Sequence, residues 1–260
     1  MKRSRTHAPM GLHHVSVTAV RDVTPRMRRF TVSAESLASF TDDGPDQRFK
    51  LFLPRPGQLQ PSVTDGEGWY QAWQALPDAE RPTMRTYTVR ASRPELAELD
   101  FDIALHGDSG PGSAWAERAR PGDRVAVFGA YAEHDPDPDA RWHLLVGDET
   151  ALPAIAAIAE RLPAGLPVRA VVEVADDGEV QDLAGDADTK VTWVRRASGE
   201  RLVAAVRDAD LPAGRGYAWL AGESAAVTTL RRHLLNERGF AKDQVTFMGY
   251  WRRGESIDPS

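Results

Sequence analysis

Apolar and polar side chains alternate along residues 13–20, and after a Thr24-Pro25 turn residues 27–32 read as the returning strand of a hairpin. Further short strands are expected at 49–53, 85–91, 99–105 and 124–128. No long helical pattern separates them, so they predict an antiparallel barrel or sandwich. The connection from Pro54 to Pro82 interrupts this series. A loop of that length covers a site or is disordered, and its Trp69, Tyr70 and Trp73 can anchor it to the barrel.

The rhythm changes after Tyr131-Ala132-Glu133-His134-Asp135-Pro136-Asp137-Pro138-Asp139, an acidic, proline-broken segment that reads as a linker. Strands are then expected at 143–146, 168–174, 191–194, 217–220 and 245–250, and helices at 151–161, 199–208 and 224–238, the last stopped by Gly239. Strands alternating with helices predict a parallel α/β sheet. The expected organisation is a β domain over residues 10–132 followed by an α/β domain over 140–254.

Composition narrows the chemistry. The chain has 260 residues, a formal net charge of −6 and no cysteine. The acidic balance argues against nucleic acid as a partner. Without cysteine there is no disulfide, thiolate metal site or cysteine-held iron–sulfur cluster, so redox chemistry would need a bound organic cofactor or a non-thiolate metal. No His-x-x-x-His pair occurs and His13-His14 would point to opposite faces of a strand, so no metal site is expected. The basic start, Met1 to Thr6, is not followed by an apolar run, and no stretch approaches the roughly 18 apolar residues of a membrane span. A cytoplasmic protein is expected.

Four segments carry candidate chemistry. Arg85-Thr86-Tyr87-Thr88-Val89-Arg90 places Arg85, Tyr87 and Val89 on one face of a strand and Thr86, Thr88 and Arg90 on the other. An arginine fork suits a diphosphate, a tyrosine ring can stack on a flat heteroaromatic, and a threonine hydroxyl can reach a ring nitrogen. The stretch from Asp102 through His106-Gly107-Asp108-Ser109-Gly110-Pro111-Gly112-Ser113-Ala114-Trp115 ends where a helix can begin, and amides at a helix start cradle phosphate. It also resembles a protease nucleophile segment, but without one glycine of that motif or a matching histidine and aspartate. Gly147-Asp148-Glu149-Thr150-Ala151-Leu152-Pro153-Ala154 lies between a strand and a helix, where doubly wound sheets bind nucleotides. Its carboxylates would repel phosphate; an acidic first turn that only stabilises the helix is the alternative. Ala221-Gly222-Glu223-Ser224 and the closing Gly249-Tyr250-Trp251-Arg252-Arg253-Gly254 complete the set, with plain packing and solvated arginines as the alternative.

In this order the four segments resemble the siderophore-interacting proteins, a branch of the ferredoxin-reductase-like flavoproteins. The resemblance implies an N-terminal antiparallel FAD-binding β-barrel and a C-terminal nucleotide-binding parallel α/β domain. It implies an oxidoreductase in which NADH or NADPH reduces FAD, and the flavin reduces the iron of a ferric siderophore to Fe(II). A general flavin reductase serving another acceptor and a non-catalytic siderophore carrier stay open beside it. The cofactor positions implied are Arg85, Thr86, Tyr87, Thr88, Asp102, His106, Gly112, Ser113, Ala114, Asp148, Thr150, Ala151, Glu223, Tyr250 and Trp251, with Tyr87 and Thr88 nearest the chemistry. Arg48, Lys50, Lys242, Arg252 and Arg253 are candidates for an anionic chelate by charge and position, and Arg195-Arg196 for a 2′-phosphate.

Overall fold

The computed structural model describes residues 11–106 and 110–254. Gly107, Asp108 and Ser109 of the second motif, and the basic start, lie outside the described residues. The chain divides into two compact units, one reaching Ala132 and the other beginning at Glu133.

In the first unit, β1 (Leu12–Thr24), β2 (Met27–Ser33), β3 (Arg48–Leu53), β4 (Thr83–Thr88), β5 (Ala91–Arg93), β6 (Glu98–Ala104) and β7 (Arg124–Tyr131) form an antiparallel sheet in the order β4-β3-β7-β1-β2-β6-β5. The strand expected over 85–91 is two strands, because the chain changes partner there. β4 pairs with β3, β5 pairs with β6, and between them Val89 N donates to Gln47 O (2.7 Å) and Arg90 N to Asp100 O (2.8 Å). This crossing brings the two ends of the sheet together as a barrel.

The interior is aromatic: Phe30 stacks on Phe101 at 5.4 Å, Phe49 meets Phe101 edge-on at 5.5 Å, and all three are fully buried. The helix α2 (Pro111–Arg118) adds Trp115, 4.9 Å from Phe30. Each such ring contributes about 1.5–3 kcal/mol by leaving water. The long connection between β3 and β4 contains α1 (Trp69–Ala75), a helix not expected from the sequence. Its Trp69 lies 4.4 Å from Phe128 and Trp73 Nε1 donates to Pro82 O (2.9 Å), so the aromatic anchors hold as expected.

In the second unit, β8 (Trp142–Asp148), β9 (Pro167–Val174), β10 (Asp188–Arg195), β11 (Gly216–Glu223) and β12 (Val245–Trp251) form a parallel sheet in the order β10-β9-β8-β11-β12. Strand alternation sends Leu145, Val168 and Trp219 to one side, with α3 (Leu152–Ala159), and Leu144, Val146 and Leu220 to the other. There α4 (Leu202–Asp208) and α5 (Ser224–Asn236) cover them. Just past α5, Gly239 takes the left-handed conformation (φ 74°) and Phe240 N reaches back to Leu234 O (3.1 Å), the expected helix stop. Among the described residues no helix is long and apolar enough to cross a membrane.

The boundary between the units falls inside the expected linker, but the segment is not loose: Ala132 and His134 are buried, and Asp135 N donates to Tyr217 Oη (3.1 Å), so its second part is pinned to β11. Its charged residues alternate with groups that pack, which composition alone does not reveal.

Candidate functional site

In the first unit, β3 sets Leu51 opposite Arg85, Lys50 opposite Thr86, Phe49 opposite Tyr87 and Arg48 opposite Thr88. Directly opposed residues share a face, so Arg85 and Tyr87 turn toward the side of Phe49, and the two threonines toward the side of Lys50. The Tyr87 ring lies 6.0 Å from Phe101, and burial pushes its hydroxyl up to about 12, which keeps it protonated at neutral pH. A Cβ on Gly112 would run into the Tyr87 hydroxyl and come within 3.8 Å of Arg85 Cγ. Glycine at 112 therefore lets the start of α2 close against the arginine-bearing strand.

Gly110 stands at the N-cap of α2, no side chain caps it among the described residues, and Pro111 fills the first turn without needing an N–H partner. Ala114 N donates to Gly110 O (2.9 Å), so its amide is used, and the amides of Gly112 and Ser113 precede this first helical bond. The start of α2 thus packs against Arg85, whose Nη1 donates to Met84 O (2.7 Å), and a guanidinium beside a helix start is a donor set that fits the diphosphate of FAD.

Other expected residues around it have structural tasks. The Ser113 hydroxyl is buried and accepts His106 N (3.0 Å), tying α2 to the chain leaving β6; what Ser113 can offer an anion is its amide. The His106 ring lies against Gly110. Asp102 sits on the face of β6 opposite Phe101, where Arg29 takes both its carboxylate oxygens (2.6 and 2.7 Å). The Asp102 charge is thus neutralised across β2 and β6, and it does not join the Arg85 group. Lys50 Nζ donates to Thr86 Oγ1 (2.9 Å), and burial, helped by neighbouring Arg48, lowers the lysine pKa. Thr88 is buried at the end of β4.

In the second unit, the carboxylate of one expected residue gathers three others. Asp148 is 3% exposed; its Oδ1 accepts Thr150 N (2.9 Å) and Thr150 Oγ1 (2.5 Å), and its Oδ2 accepts Glu223 N (2.9 Å) and Trp251 Nε1 (2.8 Å). Burial raises its pKa while the bonds from Thr150 and Trp251 oppose the rise. Gly222 (φ 133°) carries no Cβ because one would meet Asp148 Oδ2. Asp148 thus clasps the ends of β8, β11 and β12, turning the donors of this junction inward. Ala151 is fully buried, its amide is spent on Asp148 O (2.9 Å) and its side chain packs in the core beside α3. The Glu223 side chain caps α5 by accepting Ala226 N (2.9 Å), and Tyr250 packs edge-on against Trp219 at 6.4 Å.

The chelate candidates of the second unit do not form one patch. Arg252 and Arg253 follow β12 at its carboxyl end, while Lys242 precedes it by three residues, about 20 Å away along the strand. The sequence also hid a buried trio: the His143 ring lies 5.7 Å from His134 and 5.3 Å from Tyr217, and burial lowers the His143 pKa to about 4. Among the described residues no three histidines or carboxylates are arranged to hold a metal.

The model of the siderophore-interacting FAD-binding domain matches residues 16–134, and that of the siderophore-interacting protein matches residues 140–254. An uncharacterised protein of Mycobacterium tuberculosis is 37% identical over 271 residues, covering 94% of this chain and 92% of the relative. The ferric vibriobactin reductase of Vibrio cholerae is 32% identical, covering 90% and 87%. Among solved structures, a siderophore utilization protein from T. fusca superposes with a TM-score of 0.82 at 34% identity, over 96% of both chains.

Proposed function

The chain belongs to the siderophore-interacting protein family, and from that premise we propose that it is an NAD(P)H-driven reductase releasing iron from ferric siderophores. The observation that carries the reading is the packing of Arg85 and Tyr87 against Gly112 at the start of α2. FAD, when bound, supplies the electron chemistry: it takes a hydride from the nicotinamide and yields electrons singly to ferric iron.

The residues of the chain do the holding. Arg85 grips the diphosphate with its planar fork, and the amides of Gly112 and Ser113 complete the cradle. Tyr87, wedged between Phe101 and Gly112, stays neutral and fixes the ring edge it presents. Thr88, where the chain leaves β3, would offer its hydroxyl to the ring system. Arg48 and Lys50 form the basic face that an anionic chelate meets; the lowered lysine pKa reflects their mutual repulsion as well as burial. Iron reduced to Fe(II) is less strongly held by hard oxygen ligands and leaves. With no cysteine in the chain, no thiolate-held cluster competes as electron store. The setting is the cytoplasm, where reduced nicotinamide is supplied.

The test is an anaerobic assay of the FAD-loaded protein with a ferric chelate and a ferrous-trapping dye. The reading expects about two Fe(II) trapped per NAD(P)H oxidised, since a hydride carries an electron pair. Chelate binding without dinucleotide oxidation would instead make the protein a carrier, and faster delivery to protein acceptors than to ferric chelates would make it a general reductase.

A further inference from the structure

We infer that the rim at the carboxyl ends of β8, β9 and β10 selects an adenosine ribose without a 2′-phosphate, so that NADH rather than NADPH is the electron donor. The inference rests on the reductase reading above and adds the identity of its dinucleotide.

In a sheet of this strand order the chain reverses direction between β8 and β11, and ligands bind outside the carboxyl ends of the strands. A 2′-phosphate there needs a nearby arginine, whereas a 2′-hydroxyl is held by a carboxylate at the end of the unit's second strand. That strand is β9, and Glu173 stands at its end. The arginines at hand, Arg195 and Arg196, are already committed. Arg196 donates to both oxygens of Glu149, at 2.8 Å from Nη1 to Oε2, and again from Nη1 to Glu173 Oε1 at 3.0 Å. The second oxygen of Glu173 accepts Leu202 N (3.1 Å), which fixes the carboxylate against the start of α4. Arg195 pairs through Nε with Asp177 and through Nη1 with Trp193 O (3.0 Å), while its backbone amide goes to Glu200 Oε2 (2.9 Å).

The rim therefore sets Glu149, Glu173, Asp177 and Glu200 against two guanidiniums, each already neutralised. A phosphate dianion would have to break the Glu149–Arg196 fork and would meet the remaining carboxylates unscreened. Arg201, the next cation along the chain, is exposed and turns Nη1 to Glu200 O (2.8 Å). A neutral ribose diol meets no such opposition, because carboxylates accept its hydroxyls.

The test measures NAD⁺ and NADP⁺ affinities of the FAD-loaded protein by calorimetry, beside kcat/KM for NADH and NADPH. The wild type is expected to favour the unphosphorylated dinucleotide by about tenfold or more in both readouts. Glu149→Gln releases Arg196 from its fork and removes one negative charge, and is expected to move the NADP⁺ to NAD⁺ affinity ratio about tenfold toward NADP⁺. Glu173→Gln, whose amide oxygen still accepts Leu202 N, is the second variant and is expected to shift the ratio in the same direction. Equal or tighter NADP⁺ binding by the wild type, or an unchanged ratio in both variants, overturns the inference and leaves the reductase reading standing. Binding of neither dinucleotide overturns both.

Discussion

Each unit contains a strand that leads into a helix through a glycine-bearing turn, and the two junctions treat their donors in opposite ways. At the start of α2 the N-cap is a glycine that no side chain caps among the described residues, and the neighbouring Arg85 and Tyr87 press against Gly112. At the β8–α3 junction a buried carboxylate, Asp148, takes Thr150, Glu223 and Trp251 for itself. A strand–turn–helix pattern is therefore not in itself an anion site. What decides is whether side chains take up the donors of the turn: the second unit spends them on Asp148, whereas among the described residues no side chain caps α2.

Substitutions can break this contrast, and the largest effect is expected at the inward junction. Asp148→Asn turns an NH₂ toward donors that now lack an acceptor, and should destabilise the second unit by about 4 kcal/mol. Urea unfolding followed by tryptophan fluorescence reads it; an unchanged midpoint would mean the clasp is dispensable. The same unit carries a pH weakness. His143 has a folded pKa lowered from 6.5 to about 4, so it stabilises the fold in its neutral form above the unfolded pKa. As pH falls from about 6.5 to about 4 the unfolded chain takes up the proton first, and about 3 kcal/mol of stability should be lost. His143→Leu, beside His134 and Tyr217, should flatten that part of the stability curve; a wild-type profile already flat over this interval contradicts the burial argument.

The junction at α2 should respond in binding rather than folding. Arg85→Ala is expected to weaken FAD by about 2 kcal/mol, roughly thirtyfold, with unfolding of either unit unaltered. Retention of FAD at wild-type affinity would remove Arg85 from the cradle. The smallest change is Trp251→Phe, which deletes one of the donors to Asp148 and should cost about 1 kcal/mol of stability. No loss at all would show that Glu223 N and Thr150 suffice to hold the carboxylate.

The contrast also explains what could be read without coordinates. Alternation and turn residues located most strands, and the order of strands and helices announced a barrel followed by a parallel sheet. The Arg85–Thr88 face assignment needed only the two-residue period of a strand. The break after Thr88 was hidden because it depends on β3 and β6 competing for the same stretch of chain. The role of Asp148 was hidden because Glu223 and Trp251 lie 75 and 103 residues further on. Asp102 and Arg196 looked available for ligands as single residues, yet each is neutralised by a partner from another strand or turn. Ala114 and Ala151 fell within the right motifs, but helix hydrogen bonding and packing use up what they could offer. Charge alone grouped Lys242 with Arg252, although they lie at opposite ends of β12.

The claim on which the account turns is that the first unit recognises a diphosphate through Arg85 and the start of α2. Parallel equilibrium titrations of the flavin-free protein with FAD and with riboflavin, which shares the ring but has no phosphate, measure this directly. FAD should bind at least about a hundredfold more tightly, two charge-assisted contacts being worth about 3 kcal/mol, and Arg85→Ala should close most of that gap. Equal affinity for FAD and riboflavin would contradict the account.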